Sequence, residues 1–226
     1  MLDVSYRETR HRVTELVAGL DVGQLRTPVP ATPNWTVHDL LAHLVGGASD
    51  AATGRVDGAP GDTWTARHVA ERRDATLDDL LAEWHSLGPI IEGGLAFQRF
   101  TGPNIAADLI CHEADLRETF GMGRADRAHW YDPFLEVMMH MLERRLRDVA
   151  SVVVRDEQSE WHCGSGDMTA TVQTDGYELL RAMFSRRSRR QIAAWDWTPA
   201  PTPRIVETFG FFGPRDDDQP IPPLGP

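Results

Sequence analysis

The hydrophobic pattern of this chain changes its period near residue 150, and this change limits the fold more than any other feature. Before that point apolar residues recur at intervals of three and four, which is typical of amphipathic helices. After it, short runs rich in β-branched residues at 151–155, 160–163 and 168–173 alternate with polar turns, which is typical of strands. Helices followed by a small group of strands predict an α+β protein.

Helix-start signals divide the first part of the chain into five predicted helices. They cover residues 6–20, 37–48, 77–97, 104–120 and 132–150. Four of them begin at a side chain that suits an N-cap, namely Thr36, Thr76, Asn104 and Asp132, the last with proline at the first helical position. Four of the five are expected to form an antiparallel bundle. The long polar connection over residues 54–75 is predicted to be a loop, functional or disordered.

The domain division expected from this pattern has three parts. Residues 1–150 form the helical domain, and residues 151–213 form a small α+β domain that includes a short helix over 177–184. Residues 214–226 are rich in proline and aspartate and contain few apolar side chains. Such a segment cannot bury enough apolar area to offset the entropy of ordering it, so a flexible tail is expected.

Composition excludes several classes of function. The net charge of −11 with histidine neutral opposes nonspecific attraction to nucleic acid or to anionic lipid. No apolar run approaches the roughly 20 residues that span a bilayer, and the start of the chain does not resemble a secretory signal. The two cysteines form no disulfide or metal motif, which fits a reducing compartment. We therefore expect a cytoplasmic protein without nucleic-acid or membrane partners.

The chain contains no lysine, so all 23 of its Lys and Arg positions are arginine. No physical demand for guanidinium groups explains a complete exclusion, whereas codon bias in a GC-rich genome does, and this indicates an actinobacterial origin. The absence also excludes Schiff-base lysine chemistry and a Walker-type phosphate-binding lysine.

Polar side chains follow the edge of the apolar face on two of the predicted helices. Asp108, His112 and Asp115 recur at i, i+4 and i+7, which places them on one face of the helix over 104–120. His43 lies beside the apolar arc of the helix over 37–48, and Gly47 one turn later removes a side chain that would crowd it. A buried carboxylate without a partner costs several kcal/mol, so these groups must face one another, a cation or water.

Together, His43, Asp108 and His112 offer two nitrogens and one oxygen. This set suits catalytic zinc or another first-row divalent ion, with positions left open for water or substrate. Asp115 is placed to orient the imidazole of His112 through its other nitrogen. The spacing leaves an alternative open, in which these side chains only satisfy one another's hydrogen bonds.

Four segments carry a resemblance to a known family. They are Asn34–Leu44, which contains His43, the run Asp108–Arg117, and the stretches Gly61–Arg73 and Leu77–Trp84. Together they resemble the mycothiol-dependent maleylpyruvate isomerase family, and the resemblance covers nearly the whole chain except the tail. It implies an N-terminal DinB-like four-helix bundle and a smaller C-terminal α+β domain related to sterol-carrier folds.

The resemblance also implies a site and a chemistry. The family's metal site uses a histidine on the second helix and a Glu-x₃-His pair on a later one, which map onto His43, Asp108 and His112, with Asp108 replacing the glutamate. It implies that a divalent metal, Zn²⁺ above all, lowers the pKa of the mycothiol thiol, which then attacks a small electrophilic substrate in isomerisation or S-transfer. Arg186 and Arg187 lie near where the family carries an arginine facing its active site, and Arg186 is the one expected to hold a substrate carboxylate.

Two other functions remain open at this point. One is a non-enzymatic protein that binds an apolar small molecule in its C-terminal domain, and the other is a metal-dependent hydrolase that uses no thiol. The remaining histidines, His68 among them, have no matched partner in the sequence and are predicted to be ordinary. Trp35 is predicted to pack beside the helix start as a hydrophobic staple.

Overall fold

The computed structural model describes residues 2–97 and 104–222 and confirms the predicted α+β class. The chain divides into two compact units. The first unit comprises the described residues up to Arg124 together with Pro222, and the second unit comprises Ala125–Ile221. Within the described residues, no helix has both the length and the apolar character that a membrane span requires.

The first unit is mainly helical. Its elements in chain order are α1 (Leu2–Val17), α2 (Val22–Leu25), β1 (Pro28–Val29), β2 (Thr32–Thr36), α3 (Val37–Thr53), α4 (Asp62–Glu71), α5 (Leu77–Ala96) and α6 (Ile105–Thr119). Four long helices form the predicted bundle, since α1 and α3 each pack against both α5 and α6. The two short strands pair as an antiparallel hairpin that leads into α3, and the sequence pattern did not predict it.

The N-caps of three bundle helices are the predicted ones. Thr36 and Thr76 each accept a hydrogen bond from the backbone N–H three residues later, and Asp39 and Asp79 bond back to complete a capping box. The side chain of Asn104 accepts from two backbone N–H groups at the start of α6. Each cap is worth about 1 kcal/mol, and each sets where its helix begins.

The polar connection over residues 54–75 contains a helix that the pattern did not predict. This helix is α4, which packs against α3. The side chains that it directs at α3 include Trp64, Arg67 and His68, which are aromatic or polar. A prediction from the spacing of apolar residues does not detect a helix with such a face, and the segment was therefore predicted to be a loop.

The second unit combines a mixed sheet with short helices. It begins with a 3₁₀ turn (Arg127–His129) and a π-helical segment (Tyr131–Leu135), which are followed by α7 (Glu136–Leu146), β3 (Ala150–Arg155), β4 (Glu160–Cys163), β5 (Met168–Gln173), α8 (Gly176–Met183), α9 (Arg189–Ala193), β6 (Asp196–Thr198) and α10 (Pro203–Val206). The strand order is β4-β3-β5-β6, with β3 and β5 parallel and the other pairs antiparallel. The three predicted strands are therefore present.

Helix α7 explains why the units divide near residue 124, whereas the sequence placed the division at 150. It packs against β3, β4 and α8, and its buried residues are Met138, Met139, Leu142 and Leu146. The fifth predicted helix thus belongs to the core of the strand-containing unit. Periodicity identifies a helix but does not say which core it joins.

Part of the segment expected to be a flexible tail is held against α9 by polar contacts. Asp218 accepts a hydrogen bond from Ser188, and Gln191 donates to the backbone oxygen of Gln219. Arg215 forms a β-bridge with Ser188, and Gln219 is buried. The expectation of flexibility considered only apolar burial, whereas these contacts are hydrogen bonds and ion pairs.

Candidate metal centre

Folding brings His43, Asp108 and His112 together in the first unit. Helix α3 carries His43, and α6 carries the other two residues. Nε2 of His43 lies 3.3 Å from Oδ2 of Asp108, and Nε2 of His112 lies 3.6 Å from Oδ1 of the same carboxylate. One ligand atom from each residue lies within 4.8 Å of the other two. Of the residues that the structure describes, only these three form such a group.

The start of α6 places the carboxylate. Because Asn104 caps the helix, Asp108 lies in its first turn, where the partial positive charge of the helix N-terminus favours an anion. His112 follows one turn later on the same face. The i, i+4 spacing in the sequence therefore places Asp108 and His112 on the same side of the folded helix.

Asp115 contacts the imidazole of His112 through its other nitrogen. Nδ1 of His112 lies 2.9 Å from Oδ2 of Asp115, which is buried. An ionised carboxylate only accepts hydrogen bonds, so the hydrogen of this imidazole is on Nδ1. The lone pair of Nε2 is thereby directed to the side where Asp108 lies.

His43 contacts a second histidine through its other nitrogen. Nδ1 of His43 lies 3.2 Å from Nδ1 of His68 on α4, and Nε2 of His68 lies 2.8 Å from Oδ2 of Asp50 on α3. Arg67 donates two hydrogen bonds to the same carboxylate, at 2.5 and 3.3 Å. We call this row of groups the Asp50–His68–His43 chain. The prediction that His68 has no matched partner was wrong.

The surroundings of Asp50 and His68 determine whether each of them is charged. Burial alone would raise the pKa of Asp50, but the hydrogen bonds and charges of Arg67 and His68 outweigh it, so the pKa lies below its usual value. Burial lowers the pKa of His68, and the hydrogen bond to Asp50 opposes this only in part. Near neutral pH, Asp50 is therefore ionised and His68 is neutral.

The cluster is closed around its imidazoles and open at its carboxylate. His43 and His112 are 3% and 5% exposed, whereas 39% of the Asp108 side chain is exposed. Trp35 lies beside both imidazoles, with ring centroids 4.9 Å from His43 and 6.1 Å from His112. Trp64 meets His43 edge-on at 5.9 Å. Trp35 therefore lines the cluster, which its interpretation as a helix-start staple did not include.

Gly46 makes room for His68, whereas Gly47, which was predicted to make room for His43, has only Trp64 near the position of its missing side chain. A Cβ atom at Gly46 would lie 2.5 Å from Cβ and Cγ of His68. At Gly47 the nearest atom would be Cη2 of Trp64, at 3.9 Å, which is ordinary contact distance. Two consecutive glycines inside α3 were the sequence signal that another element approaches this helix closely, and that element is α4.

Arg186 lies in the second unit, just after α8. It is half-buried, and its Nη1 donates to the backbone oxygen of Phe184 at 3.0 Å. Its neighbour Arg187 is fully buried and pairs with Glu178 through two hydrogen bonds of 2.7 Å each. Arg187 is therefore structural, and a substrate-binding role for Arg186 stays a prediction.

Comparisons with known proteins agree with the resemblance found in the sequence. Residues 6–96 match the family model described as the mycothiol maleylpyruvate isomerase N-terminal domain. Two crystal structures of a mycothiol-dependent maleylpyruvate isomerase, one of them of a histidine-to-alanine mutant, share the fold with TM-scores of 0.56 and 0.60. In both cases the identity is 11%, and the match covers 90% of this chain and 94% of the other. No curated protein sequence matches the chain.

Proposed function

We propose that this chain, whose residues 6–96 match the model of the mycothiol maleylpyruvate isomerase N-terminal domain, is a divalent-metal-dependent enzyme that uses a low-molecular-weight thiol. Mycothiol is the proposed thiol, and the reaction is isomerisation or S-transfer on a small electrophilic substrate. The observation that carries the proposal is the convergence of His43, Asp108 and His112 from two helices. The family match supports the choice of thiol and reaction.

The three side chains fit a catalytic zinc ion in number and type. Catalytic zinc sites use three protein ligands and leave a fourth position open. Donors about 2.0–2.1 Å from a tetrahedral ion lie about 3.4 Å from one another. The two nitrogen–oxygen separations to Asp108 are 3.3 and 3.6 Å. These separations support direct binding of the ion by Asp108, although its side chain is one methylene shorter than the family's glutamate.

Each residue of the cluster has a defined part in this proposal. When bound, a divalent metal supplies a Lewis acid that lowers the pKa of a coordinated thiol toward neutrality. His43 and His112 each offer an imidazole nitrogen, and Asp108 offers a carboxylate oxygen. The exposed edge at Asp108 is the proposed entrance for thiol and substrate. The indoles of Trp35 and Trp64 shield the imidazoles from water.

Arg186 is the proposed holder of a substrate carboxylate, because a guanidinium binds a carboxylate through two parallel hydrogen bonds. The Arg186→Gln variant should raise KM for an acidic electrophile more than for a neutral one. Arg190→Gln is the control, since the Arg190 side chain is 81% exposed. Equal effects of Arg186→Gln on both substrates would contradict this role.

Metal content is the first test. Purified wild-type protein, loaded with Zn²⁺ and passed over a desalting column, should retain one equivalent by elemental analysis, and the His112→Ala variant should retain none. His85→Ala is the matched control, because His85 is exposed on another helix of the same bundle and should leave the content unchanged. A wild-type protein that retains no metal would contradict the proposal.

Thiol use is tested separately on protein loaded with Co²⁺. Addition of mycothiol should produce a sulfur-to-cobalt charge-transfer band, and His112→Ala should abolish that band. Metal retention without any thiol-dependent band would instead favour a hydrolase, which needs the same ligands and no thiol.

A further inference from the structure

We infer that His68 is a positioning residue for His43. It accepts a hydrogen bond from the Nδ1–H of His43, and this leaves the lone pair on Nε2 of His43 available to a metal ion. The tautomer assignment stands on the geometry of the Asp50–His68–His43 chain, and its consequence for metal binding rests on the proposed function.

The first step concerns Asp50, which is buried and ionised. A carboxylate has no hydrogen to donate, so the 2.8 Å contact with His68 requires a hydrogen on Nε2 of His68. Arg67, which bonds the same carboxylate through two nitrogens, holds the acceptor in place. Asp50 therefore sets which nitrogen of His68 is protonated.

The second step concerns the contact between the two histidines. A neutral imidazole carries one hydrogen, so with Nε2 protonated, Nδ1 of His68 is an acceptor. The 3.2 Å separation from Nδ1 of His43 is then a hydrogen bond donated by His43. The opposite direction needs a doubly protonated His68, which complete burial of that side chain disfavours.

The third step concerns what this tautomer places at the cluster. With its hydrogen on Nδ1, His43 directs the lone pair of Nε2 at Oδ2 of Asp108, 3.3 Å away. His112 likewise directs the lone pair of its Nε2 at Oδ1 of Asp108, because its Nδ1–H donates a hydrogen bond to Asp115. Electron pairs that face each other repel unless a cation lies between them. Two independent carboxylates, Asp50 and Asp115, thus prepare the two imidazoles for the same ligand.

The backbone is shaped to keep His68 where it acts. Gly46 on α3 admits the ring, since any Cβ there would lie 2.5 Å from the side chain of His68. Trp64 packs edge-on against the other side of the ring, with centroids 4.2 Å apart. His68 and His43 lie nearly parallel, with 29° between their planes. The ring is therefore confined between two helices.

The tautomer is tested on metal-free protein by long-range proton–nitrogen NMR with labelled histidine. His43 should carry its hydrogen on Nδ1 in the wild type. In His68→Phe, which removes the acceptor, it should shift toward the Nε2 tautomer. His68→Asn should restore the wild-type signals, because its amide oxygen occupies the position of Nδ1. Zn²⁺ affinity, measured against a chelator, should fall about 10–100-fold in His68→Phe and recover in His68→Asn.

A pair of glycine variants tests the same inference without removing any ionisable group. Gly46→Ala displaces His68 and should lower Zn²⁺ affinity about 10-fold or more, whereas Gly47→Ala should bind as the wild type does. This pair also covers the case in which His68→Phe does not fold.

The possible outcomes are distinct. The inference is overturned if wild-type His43 carries its hydrogen on Nε2, if wild-type His68 is doubly protonated, or if both His68→Phe and Gly46→Ala bind Zn²⁺ within threefold of the wild type. A wild type that binds no metal while His43 shows the Nδ1 tautomer would defeat the proposed function and leave the tautomer assignment supported.

Discussion

The cluster of His43, Asp108 and His112 in the first unit and the Arg187–Glu178 pair in the second unit are both buried polar groups, but they are built differently. In the pair, two guanidinium nitrogens donate to two carboxylate oxygens at 2.7 Å each. In the cluster, the Nε2 atoms lie 3.3 and 3.6 Å from carboxylate oxygens, and in the tautomers inferred above their lone pairs face those oxygens. The pair matches donors to acceptors, whereas the cluster directs acceptors at a common point.

This difference separates a structural network from a candidate site. A buried ion pair that closes on itself leaves nothing for a ligand to satisfy, and its loss affects the fold. Converging acceptors are favourable only when a cation joins them, so their loss affects binding. Variants of the two regions should therefore change different quantities.

The largest effect should come from the second unit. Arg187→Met removes a cation that bonds the buried carboxylate of Glu178, and it should lower the free energy of unfolding by about 3–5 kcal/mol. Urea denaturation measures this loss. The folded fraction should still bind Zn²⁺ as the wild type does.

The control for that variant is Arg190→Met, which removes an exposed arginine three residues later in the chain. Exposed ion pairs contribute about 0–1 kcal/mol, so its stability should hardly change. A loss below about 1 kcal/mol for Arg187→Met would show that the pair is not the structural element described here.

The next effect should appear in the first unit as lost affinity. Asp108→Asn keeps the shape of the side chain and removes its charge, so Zn²⁺ affinity should fall about 100-fold, or about 2.7 kcal/mol. Isothermal titration measures the affinity. Because 39% of this side chain is exposed, the stability of the metal-free protein should change by less than about 1 kcal/mol. A large loss of stability with unchanged affinity would mean that Asp108 is structural like Arg187.

A smaller effect should follow pH. The pKa of His68 is lowered from 6.5 by burial, so an unfolded chain takes up this proton as pH falls through 6.5 while the folded chain does not. The stability that depends on neutral His68 is therefore present above pH 6.5 and lost below it, by at most about 1.4 kcal/mol per pH unit. Unfolding of metal-free protein at pH 7.5 and 5.5 measures it. Equal losses in the wild type and His68→Asn would contradict this assignment.

The smallest effect is expected at Cys163 in the second unit. Burial raises the pKa of this thiol to about 12, and the charge of Glu143 adds to the shift. At pH 8 the thiolate is therefore only about one part in ten thousand. Iodoacetamide should label Cys163 after urea unfolding and leave it unlabelled in the folded protein, as mass spectrometry would show. Labelling at equal rates in both states would contradict its burial.

The candidate site was only partly predictable. The i, i+4 and i+7 spacing of Asp108, His112 and Asp115 identified three of its residues, because one helix face is a local property. His68 and Asp50 were missed because their roles depend on α4 packing against α3, and nothing in the spacing of either helix reports that contact. The close approach of His68 to Gly46 was missed for the same reason, because it depends on which residue of α4 lies beside that glycine.

The sequence by itself determined the helices with their caps, the three strands after residue 150 and the face that carries the polar stripe. These follow from interactions between residues near one another in the chain, which repeat with the period of a helix or strand. Only the tertiary structure decided that α7 joins the sheet, that α4 brings a third histidine to the cluster, and that two imidazoles and a carboxylate from two helices lie close together. Those outcomes depend on packing between segments that are distant in the sequence. Such packing is determined by shape and hydrogen-bond pairing together, and the spacing of residues along the chain does not predict it.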